Sequence, residues 1–503
     1  MIAKFLGSAP LPKGHTGPIT LSEFNFGEYD ARREFLRSQS YFMETFIDPI
    51  SFPLGTLSNK TNYIIVGQKG AGKTACQLYL ESDRAQRQGY LSGLISFYDD
   101  LTPDDYTDFA STQRMNLISL DQLTSIESQY DFKEVWKRIL FIRIAKILQA
   151  EGFSNSFTAF CLSTTGGTNS IIDGIKKSLK VEVKVPLHFL ETKLEFDPSK
   201  LAAQSNELTV PEFNRIAEQL LVADCVQYRL YFFVDELVIS NLNTKSDEYR
   251  ARLCLIRDIV RTCCYLNDFC VTNDLDMHFI CNLRPEIRTK LNELDPEISK
   301  VMDGNDVFLG WDRDSLLEIL TQKIVVGAPR GTEINADEFI PKTINFGHPI
   351  DFMSFLLNNS WFKPRDMIRF LKVYAKVHPR HTRITEEGTK ECLNEYARIS
   401  ATELFEQISV QYPANVLAGI RMGIRRRRYS NANDLAEALK PHVDVDPAKL
   451  VEQLYMVGII GNIDHVKGKP RFFWSFRQEE YLDYEMPVTV HDGLLNYFNI
   501  RHR

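Results

Sequence analysis

Short apolar runs alternate with longer stretches of helical periodicity from about residue 63 to residue 311. Tyr63-Ile64-Ile65-Val66 and Leu230-Tyr231-Phe232-Phe233-Val234 are apolar on consecutive positions, and Leu94-Ile95-Ser96-Phe97-Tyr98 is so apart from Ser96. Such runs predict strands buried on both faces, as in a parallel sheet. Asp276 to Pro285 reads as a strand running into a polar tip, and Val307 to Trp311 as a short strand. Between these runs, Phe132 to Gln149 carries Val135, Ile139, Phe141, Ile142, Ile144 and Ile147 at helical spacing. Phe213 to Val222 predicts a further helix, and Ser246 to Leu266 another, with Leu253, Ile256, Val260 and Cys264 on one face. Strands alternating with helices predict an α/β fold around a parallel sheet.

The rhythm breaks twice. Residues 153–170 are rich in Ser, Thr, Gly and Asn and read as loop; Lys180 to Phe196 then alternates Val181, Val183 and Val185 with Glu182 and Lys184, a strand pattern. Residues 153–208 therefore read as a β insertion. From residue 312 the pattern is helical, which predicts a helical lid over 312–430. In the last part, Asn433 to Leu439 and Pro447 to Val457 read as helices, and Gly461-Asn462-Ile463, Lys467-Gly468-Lys469 and Arg471 to Arg477 as a hairpin. Helix, helix, hairpin is a winged-helix pattern. The expected organisation is a lead-in over 1–60, a core over 61–311, the lid, and a winged-helix domain over 431–503.

The candidate chemistry sits where the first strand ends. Gly67-Gln68-Lys69-Gly70-Ala71-Gly72-Lys73-Thr74 fits G-x-x-x-x-G-K-[ST] at every fixed position, between a strand and the helix begun by Ala75-Cys76-Gln77-Leu78. Its glycines let backbone N–H groups converge on a phosphate chain, and the helix N-terminus adds partial positive charge. Lys73 is expected to reach the β- and γ-phosphates and Thr74 to ligate Mg2+. Asp235-Glu236 closes the run Leu230–Val234 in the manner of a Walker B strand. Asp235 is the expected Mg2+ ligand and Glu236 the group that polarises the attacking water. The two motifs predict an α/β P-loop NTPase core, with ATP and Mg2+ as the expected cofactors and ATP against GTP left open.

Further candidates lie at strand and helix ends. Asn282, or alternatively Arg284, stands at the polar tip of the strand begun by Asp276, a place from which ATPases with an extra strand between Walker A and Walker B touch the γ-phosphate. Arg365, in Lys363-Pro364-Arg365-Asp366 at the start of a lid helix, can reach the nucleotide from the lid. Arg250, Arg252, Arg257 and Arg261 read mostly as a solvated helix face; Arg257 and Arg261, with Arg284 and Arg288, are candidates for an arginine supplied across a subunit boundary. Tyr41 to Ile47 either packs over the base or covers the sheet edge. The acids of 99–105 read as a solvated loop.

Composition narrows the partners. The 503 residues are 44% hydrophobic and 25% charged, with net charge −7. Any nucleic-acid contact must therefore be a local patch, for which Arg425-Arg426-Arg427-Arg428 and the wing are the candidates. No apolar run approaches the roughly 20 residues of a membrane span, so no membrane partner is expected. The opening Met-Ile-Ala-Lys-Phe-Leu is too weak for a secretory signal, and nine cysteines without C-x-x-C suit reduced thiols in a cytoplasm. Cys270, His278 and Cys281 match no common zinc spacing.

Taken together, the blocks at 67–74, 234–237, 282–285, Trp311, 363–366, 454–462 and 473–477 resemble prokaryotic AAA+/STAND-like, KAP-related P-loop ATPases, over roughly residues 40–480. The chain departs from membrane-inserted KAP relatives in having no spanning segment. The resemblance implies an ATP-hydrolysing regulator that assembles as a homo-oligomer and acts with a separate effector protein in an anti-phage defence or mobile-element setting. Two rivals stay open: a DNA-binding initiator or loader under ATP control, and a scaffold that binds nucleotide and hydrolyses it little, which the presence of Glu236 disfavours.

Overall fold

The computed structural model describes residues 18–49, 54–59, 61–96, 132–163, 210–237, 247–329, 331–332, 334–409, 411–466, 469–477, 479 and 481–501. The chain divides into two compact units, one formed from within 54–67 and 79–308, the other from within 1–53, 68–78 and 309–503. These bounds differ from the expected core of 61–311. Residues 68–78 belong with the second unit because Trp311 and Arg365 of that unit pack on the loop they form.

The first unit is built on five parallel strands: β1 (Ile64–Val66), β2 (Leu91–Ser96), β3 (Leu230–Asp235), β4 (Met277–Leu283) and β5 (Asp306–Phe308), in the order β2-β3-β4-β1-β5. Every residue of β1, β3 and β4 is buried, which is why their sequences are apolar without alternation. Ile65 of β1 faces Asn282 of β4, and Val234 of β3 faces Cys281, so Asn282 and Asp235 stand level at the carboxyl edge. The helices are α4 (Lys133–Ala150), α5 (Ser156–Ser163), α6 (Val210–Asp224), α7 (Asp247–Thr272), α8 (Pro285–Leu294) and α9 (Pro296–Met302). α4 packs on α5, α6, α7 and β2, with Ile147 seated against Gly93, where a Cβ would stand 2.5 Å from its Cδ1.

Two sequence expectations change here. Residues 156–163, read as loop from their Ser and Thr content, form α5. Phe157, Phe160 and Cys161 are buried, Phe160 stacks on Phe213 at 5.0 Å, and Asn155 Oδ1 accepts from Thr158 N at the helix start. The arginines of α7 are not all solvated. Arg252 and Arg257 are buried, because α4, α8, α9 and β4 all pack on this helix. The alternating stretch of 180–196 and the acidic loop of 99–105 lie outside the described residues.

The second unit is mainly helical: α1 (Ala31–Arg37), α2 (Gln39–Thr45), α10 (Arg313–Val325), α11 (Ala336–Phe339), α12 (Phe352–Asn358), α13 (Pro364–Val377), α14 (Glu386–Ser409), α15 (Ala414–Gly423), α16 (Ala432–Leu439) and α17 (Pro447–Met456). Side-chain caps fix several starts. Asp30, Ser38, Asp312, Asp351 and Asn431 each accept from the backbone N–H three residues on. A short hairpin, β6 (Thr343–Asn345) and β7 (Pro349–Asp351), breaks the helical run; its three-residue strands are too short to register as a pattern. One core runs through Leu316, Phe352, Trp361, Phe370, Tyr396, Ile420, Leu450 and Leu494.

The C-terminal sheet is β10-β9-β11-β8, antiparallel, from β8 (Arg428–Tyr429), β9 (Ile460–Val466), β10 (Lys469–Phe473) and β11 (Val488–Val490). β8 draws on residues before 431, so this sheet begins inside the span read as lid. The turn at Lys467-Gly468 lies outside the described residues. Among the described residues no helix is long and apolar enough to cross a membrane. All nine cysteines are buried and free of disulfides.

Candidate functional site

The P-loop leads into α3 (Lys73–Gln88). Gly70 and Gly72 adopt φ of +85° and +102°, conformations that a side chain resists. Glycine at these two positions lets the loop turn and leaves backbone N–H groups at the head of the helix. Lys73 Nζ donates to the Gln68 carbonyl (3.1 Å). Trp311 Nε1 donates to the Ala71 carbonyl (2.7 Å), which anchors the loop from the side of α10.

This loop lines an open pocket. Gln68, Gly70, Gly72, Lys73, Thr74 and Ala75 line it, and so do the apolar side chains of Phe42, Phe46, Ile47, Ile319 and Ile368. The Tyr41–Ile47 segment thus contributes to the pocket that the P-loop lines. Arg365 and Tyr29 line it as well. At its edge Lys323 is buried, donating to Glu34 Oε1 (2.5 Å) and Thr45 Oγ1 (2.8 Å); burial lowers its pKa against the pull of Glu34.

In the sheet unit the polar groups collect at the carboxyl ends of β2, β3 and β4. Asp235 is 2% exposed and its Oδ1 accepts from Glu236 N (2.8 Å). Glu236 has φ +59°, a left-handed conformation for a residue with a Cβ. Such conformations cost on the order of 1–3 kcal/mol and persist where the surroundings enforce them. Ser96, the last residue of β2, supplies part of that enforcement: its Oγ donates to Glu236 Oε2 (2.6 Å). Sequence reasoning missed Ser96, although a lone serine within Leu94–Tyr98 was a visible signal.

Asn282, on the strand between β1 and β3, is 2% exposed, and among the described residues neither its Oδ1 nor its Nδ2 has a hydrogen-bond partner. A buried amide satisfied at neither end requires a reason. Thr74 supplies a hydroxyl oxygen at the head of α3; Asp235 supplies a carboxylate oxygen at the end of β3, each a donor type that suits a hard cation such as Mg2+. Gly67 N donates to the Leu283 carbonyl (3.0 Å), so the end of β4 also tethers the start of the loop.

The arginines sort differently from the sequence expectation. Arg257 is 4% exposed and donates through Nε to Asp258 Oδ1 (2.7 Å), and the same carboxylate accepts from Phe132 N. A guanidinium so buried and paired cannot reach into another subunit, and Arg257 is withdrawn as a candidate. Arg261 pairs with Asp295, and Arg288 with Asp306 (2.6 Å). Arg284 occupies the N-cap position of α8 without a side-chain cap hydrogen bond, and its Nη1 stands 3.8 Å from Glu286 Oε1. Arg365 donates through Nη1 to Glu403 (2.7 Å). In the run 425–428, Arg426 pairs with Asp434 and Arg427 with both oxygens of Asp492, so about half of that charge is already matched within the chain.

No protein-family model matches the chain, and no curated protein matches it. Among solved structures, the crystal structure of Cdc6p from Pyrobaculum aerophilum is similar over 85% of this chain and 89% of that one, at 12% identity and a TM-score of 0.31. A likeness of that degree does not bear on function.

Proposed function

We propose that this chain binds ATP with Mg2+ and hydrolyses it, as a regulatory ATPase whose nucleotide state governs assembly or partner engagement. The observation that carries the reading is the pocket lined by Gln68, Gly70, Gly72, Lys73 and Thr74 of the P-loop together with Phe42, Phe46 and Ile47. Backbone N–H groups at the head of α3 and the Lys73 ammonium would hold the phosphates. Phe42, Phe46 and Ile47 would cover the base. Bound Mg2+, held by Thr74 and Asp235, would supply charge neutralisation at the phosphates. Glu236, kept in its left-handed turn and hydrogen-bonded by Ser96, would accept the proton of the attacking water. Asn282 would gain partners for its amide at the γ-phosphate, and Arg365 or Arg284 would add positive charge.

Lys73→Ala removes one charge-assisted phosphate contact and should weaken ATP–Mg2+ binding tenfold or more, on the order of 1.5–3 kcal/mol. Unchanged affinity by calorimetry would remove the P-loop from the account. Homo-oligomerisation, a separate effector and a defence setting are proposals that rest on the motif resemblance. The winged-helix reading of residues 431–503, and DNA binding through Arg425 to Arg428 by an initiator-type ATPase, are the second reading. The pairing of Arg426 and Arg427 with acids of the same chain weighs against it.

A further inference from the structure

Two arginines of α13 share one carboxylate of α14. Arg365 Nη1 donates to Glu403 Oε1 (2.7 Å), and Arg369 Nη2 donates to Glu403 Oε2. Arg369 is itself fixed. Its Nη1 donates to Asp366 Oδ1 (2.9 Å) and Ser400 Oγ (3.2 Å), and Asp366 accepts from Trp361 N (2.7 Å). Arg369 and Asp366 are almost wholly buried, so Glu403 is held from a rigid base. Arg365 is held at a second point, where its Nε donates to the Tyr29 carbonyl (3.1 Å). Its Nη2 makes no hydrogen bond among the described residues. The side chain so pinned lies on the P-loop: a Cβ on Gly70 would stand 3.2 Å from Arg365 Cδ and Nε.

Arg365 and Arg369 both donate to the single Glu403 carboxylate, and Arg365 is the one that lies against Gly70. Burial opposes ionisation of Glu403, but Arg369, Arg365 and Lys363 hold its pKa at about 2, so it stays charged. An unrestrained arginine loses rotamer freedom when it binds phosphate, and fixing it beforehand removes that loss.

We infer that Glu403 is a positioning residue that fixes the Arg365 guanidinium against the P-loop, ready for the phosphates of a bound nucleotide. This rests on the ATP-binding reading above. The sign of the effect separates positioning from plain electrostatics. A carboxylate near an anion site repels the anion, so removing its charge alone would tighten ATP binding. Positioning predicts the opposite.

The test is ATP–Mg2+ calorimetry on the full chain: wild type, Glu403→Gln, Arg365→Ala and the double variant. Each single variant should bind about tenfold more weakly, the scale of one charge-assisted contact. The double variant should bind no more weakly than Arg365→Ala alone, because Glu403 acts only through Arg365. Unchanged or tighter binding by Glu403→Gln, or additive losses near a hundredfold, would overturn the proposal. If Glu403→Gln does not fold, Glu403→Asp, which keeps the charge and shortens the reach, is read in the same cycle. Wild-type protein that binds no ATP overturns the underlying reading and this proposal together. Wild-type binding with a Glu403→Gln variant of unchanged affinity overturns this proposal alone.

Discussion

Asn282→Leu should make the protein more stable and less active. Asn282 sits in the middle of the parallel sheet with both amide atoms buried and, among the described residues, unpartnered. An uncompensated buried polar group costs about 1–3 kcal/mol, and leucine fills similar space without one. The free energy of unfolding without nucleotide should therefore rise by about 1–3 kcal/mol. Asn267 provides the opposite case. It is equally buried, but its Nδ2 donates to the carbonyls of Cys263 (2.9 Å) and Phe279 (2.8 Å), and its Oδ1 accepts from Phe279 N (3.0 Å). Asn267→Leu breaks all three and leaves backbone groups of β4 unmatched, so stability should fall by roughly 2–4 kcal/mol. Urea unfolding followed by circular dichroism compares the midpoints, and phosphate release from ATP reports activity. Asn282→Leu should lose turnover at least tenfold while gaining stability, consistent with an amide kept for a ligand. A variant that loses stability as Asn267→Leu does, with turnover intact, would refute the reasoning and make Asn282 a structural residue.

Two further outcomes follow from the charges. His491 is fully buried, stacked on Trp361 at 4.2 Å, and burial lowers its pKa from 6.5 to about 3. The unfolded chain then binds the extra proton between those values, so stability is intact above pH 6.5 and is lost as pH falls towards 3; from pH 7 to pH 5 the loss is roughly 2 kcal/mol. His491→Phe should flatten that slope in a pH series of unfolding midpoints, and an unchanged slope would assign the acid sensitivity elsewhere. If a neighbouring subunit supplies the extra cation, specific ATPase activity should rise with protein concentration; activity that stays flat on dilution leaves that role to Arg365 within the chain.

The strands were legible because a strand buried on both faces carries its burial in its own residues. Tyr63–Val66 and Leu230–Val234 coincide with β1 and β3 to within a residue. The P-loop was legible for the same local reason, its glycines and lysine lying within eight positions. What stayed hidden depends on residues distant in sequence. α5 has the composition of a loop and owes its helix to Phe160 packing on Phe213. Arg257 lies on a helix that looks amphipathic, and its burial needs α4 and β4 to close over it. Glu403 stands 38 residues beyond Arg365 in an ordinary polar helix, and nothing near it in the sequence signals the pairing. Ser96 was half visible, as a hydroxyl in an apolar run, but its partner lies 140 residues away.

Phosphate release under saturating ATP and Mg2+, measured for the wild type beside Glu236→Gln at matched nucleotide occupancy, bears most directly on whether this site performs hydrolysis. The wild type should release phosphate, and Glu236→Gln should do so roughly a hundredfold or more slowly while binding ATP as well as the wild type. Equal rates in the two proteins, or no release by a wild type that binds ATP, would contradict the assignment of Glu236 and with it the reading of the chain as an ATPase.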